Sequence, residues 1–298
     1  MPKTDIGVPL TPDLLKQLGA LDEFPSPLAS FAPDGDLINV YRICTSDGYR
    51  GSSTTLDEVG LLKIERLGRS ASGHFTLNVD QQTIHREAAL NTIHAEAECK
   101  NDPRASLLRW RVSSRLVTPE GEVQPDLDTE EECQSAGDRI EVRMNGRTFR
   151  REGASQLTSD WCLFEAVQRL PFKSQPPVTF NMLEGLSLLR RDHQLHYRGV
   201  ASSTTWDGMT LHRFYQLGNG TLPYEYWLDE QHRLVLVVTH NRAYILDDKA
   251  EEKFAAMLDA ERRNYVKKKR SELKDLEERK ALRLALEQKK KVSEGGEK

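Results

Sequence analysis

Cys162 and the histidines His193, His196, His212, His232 and His240 are the residues of this 298-residue chain whose types and spacing come nearest to catalytic chemistry. Cys162 follows Ser159 and Asp160 at the start of a helix-patterned stretch, where backbone N–H groups and the helix dipole favour a thiolate. A hydrolase could use it as a nucleophile. Its neighbours Trp161, Leu163 and Phe164 are apolar, though, and no motif ties a histidine to it, so a small buried cysteine explains the same residues. His193 and His196, three apart in a strand, point to opposite faces, and no His-x-x-x-His pair or Cys/His cluster sets a zinc geometry. No metal and no cofactor is expected. A hydrolase-type enzyme using Cys162 or a histidine pair therefore stands behind a non-enzymatic reading.

Paired carboxylates appear at Glu96 and Glu98, within a segment that alternates Ile93, Ala95, Ala97 and Cys99 with polar residues. The next segment alternates Leu108, Trp110, Val112 and Leu116 with Arg109, Arg111, Ser113 and Arg115, and Asn101-Asp102-Pro103 lies between the two as a turn. Folding about that turn sets Glu96 and Glu98 against Arg109 and Arg111 on a wet face, which makes them cross-strand ion pairs rather than acid/base machinery. The acidic stretch 121–138 reads as a loop and lacks the calcium-loop pattern. Gly68 and Gly73 are not followed by Lys-Ser/Thr, so they form no phosphate loop, and no Gly-x-Ser-x-Gly elbow occurs.

The elements that would position these residues are mainly short strands. A hairpin is written at Ile140, Val142 and Met144, Asn145-Gly146 and the return through Arg151. One internal helix is clear: Ser159 caps it, Asp160 suits its positive end, Trp161, Leu163, Phe164, Val167 and Leu170 give it a broad apolar face, and Pro171 stops it. Six strand-like segments follow as a meander between Leu186 and Asp247. Within it Leu234 to Val238 is apolar at every position and must be covered on both faces. The fold class expected is mainly β (α+β), a highly curved antiparallel sheet wrapped around the short internal helix.

Hydrophobic residues are 38% and charged residues 30% of the chain, so some part is unusually polar. That part is 249–298, with 16 Lys and Arg against 11 Asp and Glu, which leaves 26 against 35 in 1–248. Helix formers dominate the tail, and a seam through Phe254, Leu258 and Tyr265 fails at Lys267-Lys268-Lys269-Arg270, so a packed first third and a solvated remainder are expected. The division expected is an N-terminal arm on the surface (1–35), a curved antiparallel β domain (36–248) and a charged C-terminal helix (249–298). The opposed charges argue against a nucleic-acid-binding surface. No apolar run exceeds five residues, so no transmembrane segment or signal peptide is expected in the chain as given, which reads as soluble. The four cysteines Cys44, Cys99, Cys133 and Cys162 suit free thiols in a cytosol, or two bridges in any of three connectivities if the chain is exported.

Residues 159–247 resemble uncharacterised bacterial envelope domains related to the lipoprotein-carrier fold. The stretches that carry the resemblance are Ala166-Val167-Gln168-Arg169-Leu170-Pro171 and Leu222 to Glu230 running into Arg233 to Val237. It implies a highly curved sheet around an internal helix, and a periplasmic or envelope location if an export signal has been removed; otherwise the chain is cytoplasmic. The function expected is a non-enzymatic binding or scaffold protein whose concave apolar sheet holds a lipid-like group or an apolar partner segment. Its lining is Trp110, Trp161, Phe164, Tyr224 and Tyr226, which supply large apolar area with polar handles. The same residues could equally close a core. An assembly adaptor acting through the C-terminal helix is a third reading.

Overall fold

The computed structural model describes residues 10–22, 31–46, 56–69, 73–144, 146–201, 209–219 and 221–294. Asn145 and Gly220, each half of an Asn-Gly turn expected from the sequence, lie outside the described residues. Eight strands lead: β1 (Leu37–Ser46), β2 (Leu56–Arg69), β3 (His74–Ile84), β4 (Leu90–Lys100), β5 (Leu107–Val117), β6 (Thr129–Ala136), β7 (Arg139–Met144) and β8 (Arg147–Glu152). Seven more follow: β9 (Leu157–Ser159), β10 (Val178–Glu184), β11 (Leu188–Ala201), β12 (Leu211–Leu217), β13 (Tyr224–Leu228), β14 (Leu234–Val238) and β15 (Arg242–Leu246). Three α-helices, α1 (Pro12–Gln17), α2 (Asp160–Ala166) and α3 (Ala250–Glu294), and three single 3-10 turns, Arg86–Ala88, Pro125–Leu127 and Val167–Arg169, the last continuing α2, complete the described chain.

All the strands form one curved, unclosed sheet in the order β8-β7-β6-β5-β4-β3-β2-β1-β15-β14-β13-β12-β11-β10-β9. Two meanders therefore meet at one ladder, β1 against β15, with Tyr41 opposite Leu246 and Ile43 opposite Tyr244. Every pairing is antiparallel except β9 with β10, which is parallel, a departure from the all-antiparallel sheet expected. The Asn101-Asp102-Pro103 turn folds as read: Glu96 faces Arg111, Ala97 faces Trp110 and Glu98 faces Arg109. The acidic segment 121–138 is not all loop, because 129–136 pairs with β5 and sends Cys133 to the core, while Arg111 takes the Glu132 carboxylate and Arg115 that of Asp128 just before the strand. Cross-strand pairing outweighed a composition that disfavours strand.

The concave face closes over α2, which Ser159 caps by accepting the Cys162 N–H at 3.0 Å. Leu234 to Val238 is buried along its whole length. Its outward-facing Leu236 and the adjacent Ile245 share the main apolar cluster with Leu10, Leu15 and Leu21. Arg42, on the same outer face of β1, donates to the Ala20 carbonyl at 3.0 Å. Residues 10–21 thus cover the outer side of the β1–β15 seam, where a surface arm was expected, because an all-apolar strand needs a second cover. Beside them the first turns of α3 lay Ala250 and Phe254 on Leu61 and Leu90. From Val266 to Leu286 the long helix is exposed. No helix among the described residues is long and apolar enough to cross a membrane.

Candidate functional site

The internal helix is held from four sides. Phe164 meets Tyr41, Tyr226 and Tyr244 edge-on, with ring centroids 5.4, 6.2 and 5.2 Å away. Gln168 donates to the Phe164 carbonyl at 2.9 Å, while its Oε1 accepts from the Leu234 N–H at 3.0 Å and from Asn39 at 3.2 Å. Both meanders are tied to the helix through that one amide. Glu165, fully buried, sits between the buried guanidinium of Arg66, 2.9 Å away, and that of Arg169, 2.7 Å away. Arg66 lies over the Phe75 ring at 4.5 Å and donates to the carbonyls of Asp34 and Gly35; Arg169 donates to the Asp102 carbonyl at 3.0 Å. Burial pushes the Glu165 carboxyl up, and Arg169 and then Arg66 oppose it.

The five aromatic residues expected to line a cavity fall into different surroundings. Trp110, Trp161, Phe164 and Tyr226 are buried in the main cluster, and Tyr226 donates to Gln216 Oε1 at 2.6 Å. Tyr224 alone is half-buried, its hydroxyl 3.5 Å from Glu184 Oε1. Phe164 and Tyr226 are brought together, but α2 fills the space between the walls. Among the described residues, one groove touches a residue of the five. That groove, about 490 Å³, runs over β4–β7 and meets Trp110 among Glu98, Arg109, Arg111, Glu132 and Glu141. Three pairs cross it: Arg109 with Glu98 at 2.7 Å, Arg150 with Glu141 at 3.0 Å, and Arg111 with Glu132. Arg109, then His74, hold the Glu98 carboxyl below the usual range. These are structural ladders.

The residues with catalytic potential are dispersed. Cys162 is buried, and the group at its sulfur is another thiol, Cys99. His212 and His232 stack on opposite faces of Phe172, centroids 3.6 and 3.7 Å from its ring, so an aromatic ring separates the nearest histidine pair. Burial lowers the pKa of both. His193 is buried against Gln216, which lies 2.9 Å from its Nδ1, and burial, then Arg190, lower its pKa. Among the described residues no group of three or more His, Cys, Asp or Glu is placed to hold a metal ion. No family model and no curated protein matches the chain. Several solved chains are similar to it. One of them is a β-barrel-like protein of the domain of unknown function DUF1849 from Brucella abortus, with a TM-score of 0.47 and 10% identity over 72% of this chain and 96% of that one.

The contacts made by Arg66, Glu165, Arg169, Gln168 and Cys99 were not expected from the sequence. A signal existed for two of them: Arg66 continues the inward face of Leu62 and Ile64, and Glu165 is the one charge inside Trp161 to Val167.

Asp160 shows what enclosing the helix start costs. Its carboxylate accepts the Gly185 N–H at 3.1 Å and the Trp161 N–H at 3.0 Å, yet burial pushes its pKa up to about 7. The folded state therefore holds this proton where the unfolded chain, with a carboxyl near 3.9, has released it. The resulting stability is full below about pH 4 and is lost as pH rises through 7. Asp160→Asn is expected to flatten that part of the pH dependence, measured as Tm from pH 4 to 8, and to leave the variant the more stable chain at pH 8. A parallel slope in both proteins would contradict the assignment.

Proposed function

We propose that the chain is a non-enzymatic binding protein that takes an extended segment of a partner protein along β8, with an apolar residue facing Phe149 and carboxylates two positions to either side of it. The observation that supports this reading is one row of cross-strand neighbours on the concave face, Leu77, Ala97, Trp110, Cys133, Val142 and Phe149. Exposure along it stays at 8% or below as far as Val142, then jumps to 44% at Phe149. The apolar inner surface thus runs out into solvent at the last strand, with Trp110 behind it as part of the floor.

All six residues of β8 are exposed, and the strand pairs only with β7. An outer edge of this kind offers N–H and C=O groups to an added strand. At the Glu152 end, Arg191 donates to the Glu152 carbonyl at 3.3 Å and Arg151 to Ser187 O at 2.9 Å, which bridges β8 to the β10–β11 turn and leaves 147–150 open. Arg147 and Arg151 flank Phe149 on the same face of β8, while Arg150, on the other face, is taken by Glu141, so a second β8 strand would be repelled and one that sets carboxylates on either side of an apolar residue drawn in. A lipid-like chain, the ligand implied by the lipoprotein-carrier resemblance, would meet the same Phe149 but leave the strand edge unpaired.

The test is a fluorescein-labelled peptide about ten residues long, with a central Val, Glu two positions to either side of it and Thr between them, added to the full chain and followed by anisotropy and hydrogen exchange. Wild type should bind it with slowed exchange confined to β8, and Phe149→Asp should weaken binding by about tenfold or more. No binding, equal binding by the variant, or uptake of a dansyl-labelled fatty acid in place of the peptide would each overturn strand addition.

A further inference from the structure

We infer that Cys99 and Cys162 are a disulfide site, a cross-link between the sheet wall and the internal helix. Their sulfur atoms lie 3.6 Å apart, and the two residues are 0% and 1% exposed. Cys99 is on the concave side of β4, between Phe75 on β3 and Leu107 on β5. Cys162 stands in the first turn of α2, where the Ser159 hydroxyl fixes its N–H. Two elements 63 residues apart thus present their sulfurs to each other, each placed by structure that does not depend on the bond. The arrangement takes a single pair, Cys99 with Cys162, in place of any of the three two-bridge connectivities; Cys44 and Cys133 are free thiols buried on β1 and β6.

Closing the bond brings the sulfurs from 3.6 Å to about 2.05 Å, a movement within reach of two side-chain rotations. The two thiols together give up two electrons and two protons. The acceptor is a disulfide of the glutathione or thiol–disulfide oxidoreductase class: one cysteine thiolate attacks it, forming a mixed disulfide and releasing one thiol, and the second cysteine then displaces the other. The hydrogen bond to Cys162, and after it burial, hold the Cys99 thiol well above its ordinary pKa in the folded chain. Thiolate is therefore scarce once the helix is enclosed, and the exchange belongs to the folding chain, before α2 is covered. The product tethers α2 beside the Glu165 ion group, and this holds whatever the chain binds.

The full chain, unfolded with reductant and refolded in oxidised and reduced glutathione, tests this. The expected product is lighter than the reduced chain by about 2 Da, two hydrogens. Its digest should join Cys99 to Cys162, while Cys44 and Cys133 are alkylated in denaturant. Its Tm should exceed that of the reduced chain by about 10 °C and fall back on reduction. Cys99→Ser and Cys162→Ser should each lose that shift. Four alkylatable thiols after oxidative refolding, a link mapped to another pair, or a shift retained in either variant would overturn the assignment; the mass and digest of the wild-type chain decide it even if a variant fails to fold.

Discussion

Glu165→Ala is expected to destabilise the protein by about 3–5 kcal/mol, the cost of removing one partner from a buried ion group. The carboxylate is fully buried between Arg66, 1% exposed, and Arg169, 9% exposed, so the variant leaves two enclosed guanidinium groups without an anion. Carbonyl acceptors at Gly35 and Asp102 and the Phe75 ring remain, but they carry no compensating charge. For a chain of this size the loss corresponds to a Tm lower by about 10 °C. Urea unfolding at neutral pH measures it, and a loss below about 1 kcal/mol would show that the group is not buried as described. Replacing Arg66, Glu165 and Arg169 together by apolar residues of similar volume should restore much of the stability, because no charge is then left stranded.

Phe164→Ala should cost a similar amount, about 3–5 kcal/mol, by a different route. The ring is 2% exposed and is the point where Tyr41, Tyr226 and Tyr244 converge edge-on, so truncation forfeits three aromatic contacts and leaves a cavity bounded by both meanders. Peptide affinity at β8 should be unchanged under conditions where the variant is folded. Phe149→Ala is the converse, with stability held within about 0.5 kcal/mol for an exposed position and binding weakened. Denaturant midpoints paired with anisotropy titrations separate the two. Loss of binding in folded Phe164→Ala would return the internal aromatic cluster to the role of ligand lining.

The curved sheet and its enclosed helix were legible because each rests on periodicity: alternation about Trp110, the 3.6-residue stripe through Phe164 and the uninterrupted run Leu234 to Val238. Glu130 to Glu132 misled because carboxylates lower strand propensity, whereas arginines across the ladder decide that strand. The approach of Cys99 to Cys162 and of Arg66 to Glu165 was beyond reach, since it depends on where α2 lies on the sheet and no local pattern encodes that. Four of the five aromatic residues proposed as lining have the composition of a pocket and the surroundings of a core. Side-chain type does not separate the two, because both are built from large rings.

The ladder between β1 and β15 has a kinetic consequence. Tyr41 must wait for Leu246, so the joint at the middle of the sheet is the last to be synthesised. During translation β2 to β8 can zip onto β1 by successive neighbours, leaving its other side a bare template for foreign strands until the final segment emerges. Such distant pairing slows maturation, and a ribosome that stalls before residue 242 releases an aggregation seed in place of a half-finished sheet.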